Sequence, residues 1–344
     1  MEFKYSLSLL FSNMGYAMKI IIWLLICVLI TAAIGAAVMI PITDALSTDA
    51  AVAAAFDDVS DSVTAFMDGN SSIRAFVDSF SAGVRALFSA IGASAGLTAA
   101  LVIAAVLLYA LYTFLSGIGY YPVSYVVRHL MSSNMRMGMA SSMAMNFRKA
   151  VAFSACRTSL AVPLNLAVTA LLAGLYAGLH IIIGVFTLPV ILAAGVLLFS
   201  LRGVLFAGWL PRLLFCPEEK IYTAFARSLR SVKLNVKGLF KAFLITYFVT
   251  YAIVAAFGLP TFGLIALVVP SVNYFLLRAV ELVGYYKMTG QSFYTDATTV
   301  VDTVEFGYRP ENQTAVRDGA EYADNDDAPA YGDGKNGDDG NREV

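Results

Sequence analysis

The chain has 344 residues, 59% hydrophobic and 14% charged, with a formal net charge of −1. Soluble domains are nearer half apolar and a quarter charged, so this balance excludes an ordinary water-soluble fold and marks a membrane protein. No nucleic-acid partner is expected.

In chain order, residues 1–19 read as an amphipathic helix on the cytoplasmic face, carrying Lys4 and Lys19. Ile20–Ile42 is long enough to cross the hydrocarbon, which takes about 20 apolar residues. With no convincing cleavage site before Asp44, it reads as a retained first span and not as a signal peptide. Within 44–96, Val52, Ala55, Phe56, Val59, Val63, Phe66 and Met67 follow helical spacing. After the turn at Asp68-Gly69-Asn70-Ser71, the residues Ile73, Phe76, Val77, Phe80, Val84, Leu87, Phe88 and Ile91 repeat it. This predicts an external helical hairpin, its second helix capped by Ser71 or Ser72. Its apolar stripes pack on each other, on the bilayer surface or on a protein partner. Leu97–Val127, the second span, closes the first helix pair over 20–127.

Residues 128–210 bring a basic segment with Arg128, Arg136, Arg148, Lys149 and Arg157, then spans at Leu160–Ile183 and Leu188–Leu210. Residues 211–290 bring a second basic segment, a short span at Ala242–Leu259 and a sixth at Phe262–Leu282. Six spans place all basic segments in one compartment, against Arg74 and Arg85 alone on the other side. Both termini are therefore expected in the cytoplasm, and the protein in the plasma or inner cell membrane. Residues 291–344 turn polar and acidic, with Asp324, Asp326, Asp327, Asp333, Asp338 and Asp339 beside little to bury, which predicts a disordered cytoplasmic tail. The expected fold class is thus all-α, a polytopic bundle of six transmembrane helices with interfacial amphipathic helices.

The pattern is also that of three two-helix repeats. Asn13-Met14-Gly15 ahead of Lys19 matches Asn235-Val236-Lys237-Gly238 ahead of Lys241. Gly119-Tyr120-Tyr121-Pro122, Gly208-Trp209-Leu210-Pro211 and Gly284-Tyr285-Tyr286 recur where each unit leaves the membrane.

Two constellations carry physical meaning. On a single helix over 220–241, Lys220, Arg227, Arg230, Lys233, Lys237 and Lys241 share one face, opposite Ile221, Phe225, Leu229, Val232, Val236, Leu239 and Phe240. Such a helix lies in the interface and attracts anionic lipid, or simply frames the edge of the bundle. Inside the spans, Arg202, Arg278 and Glu281 are costly in hydrocarbon and point to function. Arg278 and Glu281 are spaced to pair along one helix. Arg202 stands at a similar level, leaving open a cross-bundle pair with Glu281, contact with a lipid phosphate, or snorkelling to the interface. Asn273, just after Pro270 and Ser271, joins them as an intramembrane polar site. His129 and His180 stand alone, the three cysteines form no metal or redox motif, and no hydrolase motif occurs. No enzyme activity and no cofactor are expected.

The passage Thr223-Ala224-Phe225-Ala226-Arg227-Ser228-Leu229-Arg230-Ser231-Val232-Lys233-Leu234-Asn235, followed by Gly238-Leu239-Phe240, resembles an A-x-x-x-S-x-x-x-x-K-x-N helix. That helix enters a span in uncharacterised six-span bacterial membrane proteins, among them the membrane domain attached to some glycerophosphodiester phosphodiesterases. The likeness is carried mainly by residues 220–250 and brings no functional residues with it. No hydrolase domain is read in this chain, so that activity is not implied. What the resemblance implies is a bacterial inner-membrane protein with an envelope or lipid-related role. The expected function is non-enzymatic: a scaffold or accessory protein acting through anionic lipid and through a protein partner at the hairpin 44–96. The alternative is a small-solute or lipid transporter, with a cavity near Arg202, Asn273, Arg278 and Glu281 in the cytoplasmic half of the bundle.

Overall fold

The computed structural model describes residues 2–133, 137–258, 265–296 and 299–301. The first helix, α1 (Glu2–Ser12), ends one residue before α2 (Met14–Thr48) begins. At the junction Asn13 takes φ −132°, ψ 33°, and its amide nitrogen donates to the Leu9 carbonyl at 3.1 Å. A short polar side chain that bonds back to the preceding turn competes with helix propagation. The amphipathic helix expected over 1–19 therefore stops at Ser12, and Met14–Lys19 belong to the first span. At 1.5 Å per residue α2 is about 52 Å long, well beyond a hydrocarbon core of about 30 Å.

The hairpin forms as α3 (Ala50–Met67) and α4 (Ile73–Ala93). Asp49 caps α3, accepting from the amides of Ala51 at 3.0 Å and Val52 at 3.3 Å. Gly69, at φ 73°, makes the turn that other residues adopt only with strain. Ser72, and not Ser71, caps α4 through the Ala75 amide. The two helices approach closely: a Cβ on Gly83 would meet the Val59 side chain at 2.9 Å. Phe66 stacks on Phe76 at 4.5 Å.

The remainder is α5 (Ala95–Ile118), α6 (Tyr120–Ser133), α7 (Met139–Ile183), α8 (Thr187–Phe206), α9 (Trp209–Phe215), α10 (Ile221–Val232), α11 (Val236–Phe257) and α12 (Ile265–Thr289). One-turn 3-10 segments join α7 to α8 and α10 to α11. Five stretches are long and apolar enough to cross a membrane: Met14–Thr48, Ala95–Ser133, Met139–Ile183, Thr187–Phe215 and Ile221–Phe257. The expected sixth span starts at 262, outside the described residues, and its described part is α12. In α7 the expected basic segment and the third span are one continuous helix, with Pro163 inside it.

Burial divides the bundle into two ends. Ile22 and Leu29 of α2, Leu107 of α5, Leu192 of α8 and Phe248 of α11 are exposed. Apolar surface in water costs about 25 cal/mol per Å², so this belt is stable only against lipid tails. Toward the other end the chain packs densely around α12, which lies against α1, α2, α6 and α11. Phe275, Ala279 and Leu282 of α12 are buried there with Leu9, Leu10, Phe153 and Trp209. The Trp209 indole donates to the Ile221 carbonyl at 2.8 Å and meets Phe153 edge-on at 5.2 Å.

The chain's beginning and its last described residues meet in this end. Glu2 pairs with Lys287 at 3.1 Å, and the Asn235 amide lies 3.4 Å from the same carboxylate oxygen. Burial alone would raise the Glu2 carboxyl. Its own backbone amide, Lys287 and Asn235 override that and hold it below its ordinary value. Beyond α12, β1 (Phe293–Tyr294) pairs antiparallel with β2 (Val300–Val301). Phe293 is buried against Tyr5 at 5.9 Å and Tyr286 at 5.7 Å. The polar tail expected from 291 onward thus gives way to a folded segment, because Phe293 and Val301 have apolar surface to bury against α1 and α6. Residues 302–344, which hold the acidic run, lie outside the described residues.

Candidate functional site

Where α6, α7, α8 and α12 converge, charge is concentrated in an apolar setting. Tyr120 opens α6 immediately after Gly119, whose position a Cβ would deny: it would meet the Trp23 indole nitrogen at 2.6 Å and the Tyr274 hydroxyl at 2.7 Å. Tyr274 stacks on Tyr120 at 4.7 Å and donates its hydroxyl to the Ser116 carbonyl at 2.6 Å, fixing the ring. Onto that ring come two guanidinium groups, Arg157 of α7 at 4.0 Å and Arg278 of α12 at 4.4 Å. Phe206, at the end of α8, carries Arg157 at 5.7 Å and Arg202 at 5.6 Å. The three cations are thereby strung along two rings.

A single carboxylate answers them. Glu281 pairs with Arg278 at 2.5 Å, both side chains being almost wholly buried, and it lies within electrostatic reach of Arg157 and Arg202. Among the described residues no carboxylate lies within ion-pair distance of Arg157 or Arg202. The Nε atoms of Arg202 and Arg278 are buried without an acceptor. A guanidinium over an aromatic face gains about 2 kcal/mol when desolvated, whereas taking an ion out of water costs several kcal/mol. The rings alone do not close that gap, so the cluster carries a net positive charge that nothing among the described residues neutralises.

Of the expected intramembrane residues, the structure therefore joins Arg202, Arg278 and Glu281. Asn273 stands apart from them: its side-chain oxygen is buried without a partner, and no hydrogen bond ties it to the three charges. The cluster has two further members, Arg157, which the sequence groups with a basic segment, and Tyr120, which it places where the first unit leaves the membrane. A signal for Arg157 existed: Ala150, Phe153, Ser154, Arg157 and Ala161 recur at helical spacing, and all five are buried on one stripe of α7.

The second constellation differs from its expectation. The basic face over 220–241 is not on one helix, because α10 ends at Val232 and Lys233–Asn235 form a 3-10 turn before α11. Asn235 has φ −133°, ψ 31°, nearly the angles of Asn13 at the head of α2. Lys237 and Lys241 thus belong to the span helix. Lys220, Arg227, Arg230, Lys233, Lys237 and Lys241 are nonetheless all exposed. Arg227 pairs with Glu219 at 3.0 Å, and the other oxygen of that carboxylate takes Arg212 at 2.7 Å. The remaining five have no ion-pair partner among the described residues. No three His, Cys, Asp or Glu side chains converge as a metal set among the described residues. No protein-family model, curated protein or solved structure matches this chain.

Proposed function

We propose that this chain is a six-span membrane protein that works without catalysis, holding anionic lipid along a basic cytoplasmic rim and serving as a scaffold or accessory to other envelope components. The observation that carries the reading is the rim itself. Lys220, Arg230, Lys233, Lys237 and Lys241 are exposed and have no ion-pair partner among the described residues, next to an exposed apolar belt on α11, a combination of charge and hydrocarbon that suits an anionic membrane face. In this reading α12 is the sixth span and the basic end faces the cytoplasm of a bacterial cell, an orientation supported by the Lys and Arg distribution. The matching backbone at Asn13 and Asn235, and the short helices that follow Gly119 and Gly208, support an origin in repeated helix pairs. On the opposite side the hairpin offers its exposed Phe56, Met67, Ile73 and Phe88 to a protein partner.

Native mass spectrometry of the protein in mild detergent tests the rim. Anionic lipid is expected to remain on the wild type and to fall away from the Lys233→Glu, Lys237→Glu, Lys241→Glu variant. Equal retention by the two proteins would sink the proposal.

A further inference from the structure

We infer that the apolar groove between α8 and α11 seats one acyl chain of a single anionic phospholipid, whose phosphate is held by Lys237 and Lys241. The inference rests on the reading of the basic rim as a lipid contact, and narrows it to one site that leaves Lys220 and Arg230 outside.

Helix phase joins the groove to the two lysines. The groove measures 670 Å³, and its α11 wall is Leu244, Ile245, Phe248, Tyr251, Ala252 and Ala255. At about 100° per residue these side chains share an arc of about 120°, and Lys237 and Lys241 fall inside that same arc. The helix is unbroken from Val236 to Phe257, so the stripe runs from the lysines straight into the groove. Lys241 stands about one turn before Leu244 and Ile245, and Lys237 about one turn before Lys241. Both are exposed, with no ion-pair partner among the described residues. Gly203 faces Phe243, and Phe199 meets Tyr247 at 6.5 Å, so α8 runs antiparallel to α11. Its wall, from Pro189 to Leu197, therefore lines the part of the groove farther from the rim.

The dimensions fit one leaflet. Leu244 to Ala255 rises about 17 Å along α11, and half of a hydrocarbon core of about 30 Å is about 15 Å. A phosphate beside Lys237 and Lys241 stands above that depth, where basic side chains attract anionic headgroups. Lipid tails are as apolar as leucine, so a tail gains nothing by leaving other tails except packing, and a concave wall packs it on two sides. Ala193 and Ala252, short side chains in the lining, leave space for it. A second copy of this chain suits the groove less well. Set in the bilayer in the same orientation, about a two-fold axis, it brings its own Lys237 and Lys241 against these, like charge to like charge. A phospholipid brings the opposite charge.

The full chain in mild detergent is titrated with dioleoyl phosphatidylglycerol, dioleoyl phosphatidylcholine or glycerophosphoglycerol, and the adducts are counted by native mass spectrometry. One phosphatidylglycerol is expected to bind at least tenfold more tightly than phosphatidylcholine. Glycerophosphoglycerol, which has the head without the chains, is not expected to displace it. Lys237→Gln with Lys241→Gln should abolish the preference for phosphatidylglycerol, and Lys220→Gln with Arg230→Gln should leave it unchanged. Ala252→Trp fills the groove and keeps every rim charge, and should weaken phosphatidylglycerol tenfold or more; Ala193→Trp does the same from the opposite wall should the first variant fold poorly. Wild-type affinity in both tryptophan variants would overturn the site while the rim reading stands. Equal loss in the Lys220 and Arg230 variant would spread the contact along the rim and overturn a single site. Displacement by glycerophosphoglycerol would overturn the role of the acyl chain. A wild-type dimer that Ala252→Trp dissociates would assign the groove to a second copy. No preference for phosphatidylglycerol in the wild type would bring down the rim reading and this site together.

Discussion

Replacing Glu281 by Gln removes the one carboxylate that answers three buried guanidiniums, whereas replacing Arg278 by Gln removes only one of those three. The two substitutions break the same 2.5 Å ion pair, yet the charge count makes their costs unequal. Removing one partner of a buried pair costs about 3–5 kcal/mol, and for Glu281→Gln the whole amount applies, because Arg157, Arg202 and Arg278 are left to repel one another. Arg278→Gln leaves Glu281 with Arg157 and Arg202 still in reach. It also lowers the repulsion among the cations, a term of about 2 kcal/mol for charges about 8 Å apart at an effective dielectric of about 20. The expected cost is therefore about 1–3 kcal/mol, about 2 kcal/mol below that of Glu281→Gln. Both are read as shifts in reversible unfolding in mixed micelles without added phospholipid. An Arg278→Gln variant as unstable as Glu281→Gln would refute the reasoning, since it would mean that the pair, and not the excess of cations, dominates the site.

Other substitutions test the frame around the site. Gly119→Ala should destabilise by about 1–3 kcal/mol, because its methyl group enters the contact with Trp23 and Tyr274. Gly174→Ala in α7, where nothing lies within 4 Å, should be neutral or stabilise by up to about 1 kcal/mol in the same unfolding assay. Asp49→Ala should cost about 1 kcal/mol of local stability by uncapping α3, seen as faster hydrogen exchange at Ala51 and Val52. The folded Glu2 carboxyl sits below its ordinary value of 4.5, so its contribution is complete above that pH and is lost as pH falls through the lower folded value. Exchange protection of α1 should hold from pH 7 to pH 5 and decline below about pH 4.5. In Glu2→Gln it should be weaker at pH 7 and lack that acid step.

Much of the frame was legible because the bilayer imposes a coarse rule. Runs of about 20 apolar residues had to become spans, and the stripes of α3 and α4 at helical spacing had to become a hairpin. Helix breaks were less legible. Asn13 breaks its helix by bonding back to the Leu9 carbonyl, and Asn235 breaks the basic segment at nearly the same backbone angles, a break that a wheel drawn across 220–241 ignores. The cluster was half visible: Arg202, Arg278 and Glu281 declared themselves by standing inside apolar runs. Arg157 did not, because it lies just before Leu160, where Arg is commonplace at an interface, and only the continuity of α7 carries it inward. Phe293 was hidden likewise, its single ring lost in a polar stretch until Tyr5 and Tyr286 supply its surroundings.

The contact between Glu2 and Lys287 spans 285 positions of sequence. α1 precedes every other described helix, yet the residue that holds its carboxylate lies in the last turns of α12. During synthesis α1 cannot complete this contact, or its packing on α12, until α12 has been made. Arrival of Lys287 is therefore what lets α1 close onto α12, and a chain cut short of it leaves α1 open to proteolysis.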